Sequence, residues 1–334
     1  MSSIDVVVPC YNYGRFLREC VTSVLTQQGV DVRVLIIDDC SNDESVVVGR
    51  ALAAEDSRVE FRRHDANCGH IATYNEGLLE WASAEYSLLL SADDMLTQGA
   101  LARAARLMDE HREVGLTYGR VIKTAHPEQH PTPIYDTREF ELIDGLTFLR
   151  RFCTTADNLV STPTAVVRTA LQRVLGGYRP ELPHSGDMEM WLRFGAHASV
   201  GVVHAPQAYY RVHRQSMSSG HAGIADLRAR RDAFEVLFRE HGHLLPDGEE
   251  MRATAYRSLA ELCFWTASSL FDEGKRDQYV EYLKLAVQLD LGITRAGAWS
   301  RFRLKRMIGQ TAWSKARPLL RRLRSRIGAT SASA

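Results

Sequence analysis

Val32-Arg33-Val34-Leu35-Ile36-Ile37-Asp38-Asp39-Cys40-Ser41-Asn42-Asp43 is the stretch that decides the fold. Residues 32–37 are a short apolar run rich in β-branched side chains. Such a run reads as a strand buried on both faces, as the strands of parallel sheets are. It stops at two adjacent carboxylates and a cluster of turn formers. One reading is an Asx-type turn, with Ser41 or Asp43 capping the next helix. The other starts from cost. Neighbouring carboxylates repel and resist desolvation unless a base N–H, ribose hydroxyls or a metal meets them.

The same grammar extends to both sides. Residues 4–8 form an apolar run that ends at Pro9, and residues 15–27 carry Phe16, Cys20, Val21, Val24 and Leu25 at helical spacing. Helices are expected at 45–55 and 71–82, and strands at 59–62 and 86–90, with a turn at Asn67-Cys68-Gly69 between them. The strand at 86–90 ends at Ser91-Ala92-Asp93-Asp94. Strands alternating with helices predict βαβ units and an α/β fold with a mostly parallel sheet flanked by helices. Polar clusters at 10–14, 38–43 and 91–94 follow three of the strands. In an open α/β sheet that carboxyl edge is where ligands bind.

Further along, the pattern predicts helices at 101–110, 144–152 and 187–196. It predicts strands at 115–123 and 164–168 and two short ones at 200–203 and 208–211. Residues 126–133, rich in Pro and His, read as a loop over the site. Beyond about residue 222 the chain reads as helical. Residues 252–270 and 277–289 resemble a single tetratricopeptide-like hairpin, too few to make an array. The expected organisation is residues 1–220 as an α/β domain carrying the ligand-binding sheet edge, 221–294 as a helical region and 295–334 as a basic amphipathic tail.

Composition is that of a globular chain: 334 residues, 45% hydrophobic and 25% charged, with no formal net charge. The charge is uneven. Eleven Lys and Arg and no acid follow Asp290, so the first 290 residues carry 30 bases against 41 acids, a net −11. The six cysteines form no C-x-x-C pair, which argues against a zinc or redox motif and suits a reducing cytoplasm. Met1-Ser2-Ser3-Ile4-Asp5 lacks the basic and apolar regions of a signal peptide, and no apolar run approaches the ~18 residues of a transmembrane helix. The expectation is a cytoplasmic protein, placed at the inner face of the membrane if it meets one.

Asp93-Asp94 repeats the adjacent acids of Asp38-Asp39. A nucleoside diphosphate near such carboxylates needs a divalent cation between them, and Mg²⁺ and Mn²⁺ favour carboxylate and phosphate oxygens. Asp187, in Ser185-Gly186-Asp187-Met188-Glu189-Met190-Trp191-Leu192-Arg193, lies where a helix starts, so an N-capping role is open to it.

Four motifs in order carry a resemblance: Val7-Val8-Pro9-Cys10-Tyr11-Asn12; Ile37 to Asp43; Asn67-Cys68-Gly69 with Ala72, Asn75 and Gly77; and Leu89-Leu90-Ser91-Ala92-Asp93-Asp94. Together they resemble family 2 of the glycosyltransferases, which have the GT-A fold. The resemblance is strong over residues 4–120, moderate over 160–215 and absent beyond about 222. It implies that Pro9, Tyr11, Asn12 and Asn67 line the nucleotide-sugar pocket. It gives Asp39 the nucleobase, Asp38 support of the loop, Asp93 the ribose and Asp94 the metal. Ser91 stands where many members have another Asp. The segment at 185–193 is similar to the family's E-D-x-x-x-W-x-x-R, which makes Asp187 the catalytic base. Gly186 replaces the Glu, Glu189 is a fallback base, and Trp191 and Arg193 read as packing and a local ion pair. Tyr210-Arg211-Val212-His213-Arg214 is similar to another family segment. It places His213 on the metal or diphosphate and Arg211 or Arg214 on phosphate charge. His184 is expected to face the acceptor, and Cys10 to be a buried bystander thiol.

The resemblance therefore implies an inverting transfer from a UDP-, GDP- or dTDP-sugar, with Mg²⁺ or Mn²⁺, to a glycan or lipid-linked acceptor. A sugar-nucleotidyltransferase would usually show a glycine-rich loop where Pro9-Cys10-Tyr11-Asn12-Tyr13-Gly14 stands. A non-catalytic scaffold would have no need of Asp39, Asp94 and Asp187. The basic tail reads as a solvated helical face or as an interfacial helix on anionic lipid. Nucleic acid is not an expected partner, because no recognition fold accompanies the basic residues.

Overall fold

A computed structural model describes residues 1–127, 139–213, 216 and 223–313. The chain divides into two compact units: residues 1–152 with 157–248, and residues 153–156 with 249–334.

The first unit is built on one sheet. The opening apolar runs become β1 (Ser3–Cys10), β2 (Asp31–Asp38), β3 (Val59–Arg63) and β4 (Tyr86–Leu89). Between them lie α1 (Gly14–Leu25), α2 (Ser45–Glu55) and α3 (His70–Asn75), which continues as a π-helical segment, Glu76–Trp81. Then follow β5 (Met95–Leu96), α4 (Ala100–Glu110), β6 (Val114–Thr124), β7 (Phe140–Ile143), α5 (Gly145–Thr155), β8 (Val166–Arg168), α6 (Thr169–Leu175), α7 (Gly186–His197), β9 (Ser199–Arg211) and α8 (Ile224–His241). The strand order is β3-β2-β1-β4-β8-β6-β9-β5, with β7 against β9. β1, β2, β3 and β4 are parallel, while β8 runs against both β4 and β6. β6 and β9 pair parallel to each other, and β5 and β7 each run antiparallel to β9. The parallel architecture expected from the first hundred residues thus holds there, and the second half makes the sheet mixed.

Two details differ from the sequence pattern. The strands expected at 200–203 and 208–211 are one 13-residue strand, β9. Its register against β6 shifts around Arg120 and Pro206, where proline cannot donate to the ladder. The helical region also does not separate at residue 220. α8 packs on α7 and belongs to the first unit, so neither 220 nor 294 coincides with the observed division.

The core positions the site. Ile4, Val6 and Val8 of β1, Val34 and Ile36 of β2 and Leu88 of β4 pack with Leu17, Cys20, Val21 and Val24 of α1. Because β9 runs parallel to β6, and β6 in the same sense as β4, the ends of β1, β2, β4, β6 and β9 all reach one sheet edge.

The second unit is helical: α9 (Gly248–Asp272), α10 (Arg276–Leu289) and α11 (Gly297–Ile308). Phe264, Phe271, Tyr279 and Phe302 pack edge to face. Among the described residues no helix is long and apolar enough to cross a membrane. Most of the loop expected at 126–133, Arg214 and the tail beyond residue 313 lie outside the described residues.

Candidate functional site

Two adjoining cavities open at the sheet edge. The first, about 810 Å³, is lined by Pro9, Tyr11, Asn12, Asp39 and Asn67. The second, about 1090 Å³, is lined by Asp93, Asp94, Asp187, His184 and His213. They share Tyr13, His70, Tyr74 and Ser91. Pro9, Tyr11, Asn12, Asp39, Asn67, Asp93, Asp94, Asp187, His184 and His213, read from the sequence as a site, each line one cavity or the other, while Asp38, Glu189 and Arg211 line neither.

The end of β2 is stitched to the end of β1. Asn12 and Cys40 both take left-handed backbone conformations, with φ of 59° and 63°. For non-glycine residues this costs on the order of 1 kcal/mol each and persists only where neighbours enforce it. They do so here. The Asn12 N–H donates to Ser41 Oγ at 2.9 Å, and the Asn42 N–H donates to Asn12 Oδ1 at 2.9 Å. Asp43 accepts from the N–H groups of Gly14 and Ser45 and from the Ser45 hydroxyl. Partial burial raises its carboxyl, but these hydrogen bonds outweigh that and lower it.

Asp38 and Asp39 are both buried, with different partners. Asp38 Oδ2 accepts the Ser41 N–H at 3.1 Å and faces Arg63 Nε at 3.5 Å, while its Oδ1 has no partner. Asp39 Oδ1 meets His64 Nδ1 at 2.7 Å and accepts the Cys68 N–H at 2.7 Å; its Oδ2 accepts the Gly69 N–H at 2.9 Å. Gly69 has φ of +83°, which glycine adopts without a Cβ penalty. Asp39, His64 and Cys68 bring an oxygen, a nitrogen and a sulfur within 4.8 Å of one another. The carboxylate there is already engaged by three donors.

At the end of β4 the donors are fewer. Asp94 Oδ1 accepts the Arg211 N–H at 2.9 Å, because β5 pairs with β9 and brings Arg211 alongside. Burial, and then the adjacent Asp93, push the Asp94 carboxyl well above the usual range. His213 Nε2 lies 2.9 Å from Asp93 Oδ2, and its ring packs on Tyr13 and Phe16. Burial, and then Asp93, raise the Tyr13 hydroxyl to about 12. The Arg211 side chain is held behind the turn. Its Nε donates to the Asp93 carbonyl at 2.9 Å, its Nη2 pairs with Glu19 at 2.7 Å, and its guanidinium lies over Phe16. It is 5% exposed, lines neither cavity and braces the acidic turn from behind.

Asp187 stands in the second position of α7, after Ser185, whose side chain makes no capping bond. Asp187 Oδ1 accepts the Met188 N–H at 2.8 Å, and Oδ2 accepts from Asn158 at 2.9 Å and Thr162 at 3.4 Å. Burial pushes its carboxyl up against these hydrogen bonds. Glu189 does not serve as a fallback base. It is 1% exposed and turned away from the cavity, and it pairs with Arg193 at 2.8 Å and Arg179 at 3.2 Å. Trp191 is packed as expected. Cys10 is buried, and burial raises its thiol to about 11, so it is no nucleophile at neutral pH.

The side chains at the Asp93–Asp94 turn are of the types a hard divalent cation takes, but their ligand atoms are not gathered within 4.8 Å as those of Asp39, His64 and Cys68 are. The turn offers the two carboxylates of Asp93 and Asp94 and the His213 imidazole, and the Asp94–Asp93 repulsion is of the kind such a cation relieves. Tyr74, Lys123, Asn158 and Thr162 also line this cavity and carry no signal in the sequence pattern. His64 and Glu76 behind Asp39 carry none either. Asn158 lies in an irregular stretch and Thr162 opens a one-turn 3-10 helix, Thr162–Thr164, both too short to show a period, and only tertiary folding brings them to Asp187.

The family model described as glycosyl transferase family 2 matches residues 5–172. An uncharacterized protein of Mycobacterium tuberculosis is 27% identical over 208 residues, covering 60% of this chain and 64% of that protein. The chain spans less than two thirds of the length of the curated relatives it matches first. TarS 1–349 of Staphylococcus aureus, solved in complex with UDP-GlcNAc, matches with a TM-score of 0.62 at 19% identity over 86% of this chain and 81% of that one. The Pyrobaculum calidifontis mannosyltransferase PcManGT, in complex with GDP-Man and Mn²⁺, matches with a TM-score of 0.53 at 16% identity over 93% and 83%. These likenesses show a GT-A-type fold.

Proposed function

Because the chain belongs to glycosyl transferase family 2, we propose that it moves a sugar from a nucleoside-diphosphate sugar to an acceptor hydroxyl with inversion. The observation that carries this reading is the pair of adjoining cavities, with Asp39 in one and Asp93, Asp94 and Asp187 in the other. The nucleoside occupies the first cavity, with the base toward Asp39 and against Pro9, Tyr11, Asn12 and Asn67. Asp93 faces the ribose. A divalent cation, Mg²⁺ or Mn²⁺, held by Asp94 with His213 beside it, supplies charge neutralisation of the departing diphosphate. Arg211 keeps the Asp93–Asp94 turn in place.

Asp187 accepts the proton of the acceptor hydroxyl as its oxygen bonds to the anomeric carbon and the bond from that carbon to the diphosphate breaks. Its raised carboxyl suits a general base, and Asn158 and Thr162 orient it. His184, exposed at the same cavity, faces the acceptor side. A donor-hydrolysis screen with UDP-, GDP- and dTDP-sugars and Mg²⁺ or Mn²⁺ tests the reading. It predicts metal-dependent release of one nucleoside diphosphate, and no release from any donor contradicts it.

The acceptor is a surface glycan or a lipid-linked sugar, and the chain works at the inner face of the membrane. α11 supports this placement. Leu304, Met307 and Ile308 are exposed at i, i+3, i+4 spacing beside Arg301, Arg303 and Arg306. Vesicles containing phosphatidylglycerol should pellet the protein and phosphatidylcholine vesicles should not. Leu304→Asp with Met307→Asp should abolish pelleting, and equal pelleting of this variant rejects the placement.

A further inference from the structure

We propose that His64 sets base selectivity: bridged between Glu76 and Asp39, it leaves Asp39 one acceptor site for a nucleobase, which favours uracil or thymine over guanine. This rests on the nucleotide-sugar reading and names the donor class within it.

The geometry is specific. His64 Nδ1 lies 2.7 Å from Asp39 Oδ1 and Nε2 lies 2.8 Å from Glu76 Oε2. Both ring nitrogens face carboxylate oxygens, so both carry protons and the ring is an imidazolium. Burial alone would lower its pKa, but the hydrogen bonds to Asp39 and Glu76 outweigh that and raise it. Glu76 is also paired with Arg62 at 3.3 Å, and Cys68 stands near the Asp39 and His64 donor atoms.

An ionised carboxylate has about four acceptor sites. His64 and the Cys68 N–H take two on Oδ1, and the Gly69 N–H takes one on Oδ2. One remains at the wall of the first cavity, which the half-exposed Tyr11 also lines. Uracil and thymine present one ring N–H between two carbonyls, which one acceptor satisfies. Guanine presents two adjacent N–H groups and needs both oxygens. Cytosine and adenine set a ring-nitrogen lone pair beside their N–H, against the carboxylate.

Isothermal titration of the full chain with UDP, dTDP, GDP and CDP in Mg²⁺ tests this, alongside His64→Ala and His64→Gln. The wild type should bind UDP and dTDP about tenfold or more tighter than GDP and CDP. His64→Ala should weaken UDP about tenfold and narrow the UDP-to-GDP ratio. As pH rises through the raised imidazole pKa, wild-type UDP affinity should fall relative to His64→Ala, because only the wild type loses the second imidazole proton. Measuring both proteins with one nucleotide cancels the nucleotide's own ionisation. His64→Gln retains a side-chain amide donor and should lie between the two.

GDP binding as tightly as UDP in the wild type overturns the proposal, even if the variants fail to fold. So does a variant with an unchanged ratio and pH dependence. Failure of every nucleotide to bind the wild type instead removes the nucleotide-sugar reading on which the proposal stands.

Discussion

Two strands of the same sheet, β2 and β4, are each followed by a pair of adjacent aspartates, at the very end of β2 and four residues past β4, yet Asp38-Asp39 and Asp93-Asp94 are answered in opposite ways. At the end of β2 the protein supplies the donors: backbone N–H groups of Ser41, Cys68 and Gly69, the His64 ring and the Arg63 side chain. At the end of β4 Asp94 receives one backbone N–H while its carboxyl is pushed well up by burial and by Asp93. A buried carboxylate is tolerated when hydrogen bonds satisfy it and costly when they do not. In the first turn Asp39 is satisfied by the protein except for one acceptor site, and only Asp38 Oδ1, fully buried and away from both cavities, is left without a partner. The second is left short of positive charge, which is what a cation-bound diphosphate would bring. Asp187 belongs with the second turn, since it too is raised by burial and faces the larger cavity.

The largest expected effect tests Asp187. Asp187→Asn should lower kcat by about 10³-fold, within the range for loss of a general base, with donor affinity little changed. Its stability effect has the opposite sign. A carboxyl raised in the folded state binds more protons there than in the unfolded chain, so stability falls as pH rises from the unfolded pKa through the folded one. Above the raised folded pKa that loss is complete, and there Asn should raise Tm. The wild-type rate should fall as pH drops through the raised value, above the ordinary carboxylate range. An acid limb at an ordinary carboxylate pKa would separate Asp187 from the base.

Next comes the metal side. Asp94→Asn should cost about 10² to 10³ in kcat, as the loss of one charge-stabilising group does, and should abolish thermal stabilisation by UDP with Mn²⁺. Removal of the cation with EDTA should reproduce the kinetic loss in the wild type. Because Asn relieves a buried like-charge repulsion, the variant should melt no lower than the wild type. Stabilisation by nucleotide and metal that survives Asp94→Asn would remove the contrast between the two turns.

Glu189 marks the other side of α7 and tests stability alone. It is enclosed by Arg193 and Arg179, and breaking a buried pair by removing one partner costs about 3–5 kcal/mol. Glu189→Gln should therefore lower Tm strongly, while the kcat of the folded fraction stays within a fewfold. A selective loss of kcat without loss of stability would return Glu189 to the catalytic set.

Much of this was legible in the sequence where burial and period coincide. The runs at 4–8, 32–37 and 86–90 became β1, β2 and β4, and each delivered its polar cluster to the cavities. The two-residue strand β5 was not legible. It has no period, and it exists because Met95 and Leu96 pair with Tyr209 and Ala208. That pairing also explains Arg211. As a base in a segment resembling a family motif it read as a phosphate ligand, but the β5–β9 contact turns its side chain to Asp93 and Glu19. Glu189 looked available on a helix near Asp187, yet its face of α7 points into the protein. His64 could not be found by spacing at all, since its partners Asp39 and Glu76 lie 25 and 12 residues away.

The smallest effect, Asp38→Asn, completes the contrast between the turns. Asp38 is fully buried, with Oδ2 on the Ser41 N–H and Oδ1 unpartnered. Asn keeps an acceptor for Ser41 but places an amide donor where no acceptor waits, and it loses a long contact to a half-exposed Arg63. An unmade buried hydrogen bond costs about 1–3 kcal/mol and an ion pair to an exposed partner contributes less, so the low end is expected, a fall in Tm of about 2–4 °C. Donor affinity and kcat should stay near wild type because Asp38 reaches neither cavity. One Asp→Asn change should therefore cost stability and spare activity at the end of β2, while the same change at Asp94 should do the reverse. If Asp38→Asn instead removes activity with stability intact, the first turn also reserves its buried acid for a ligand, and the distinction between the two turns fails.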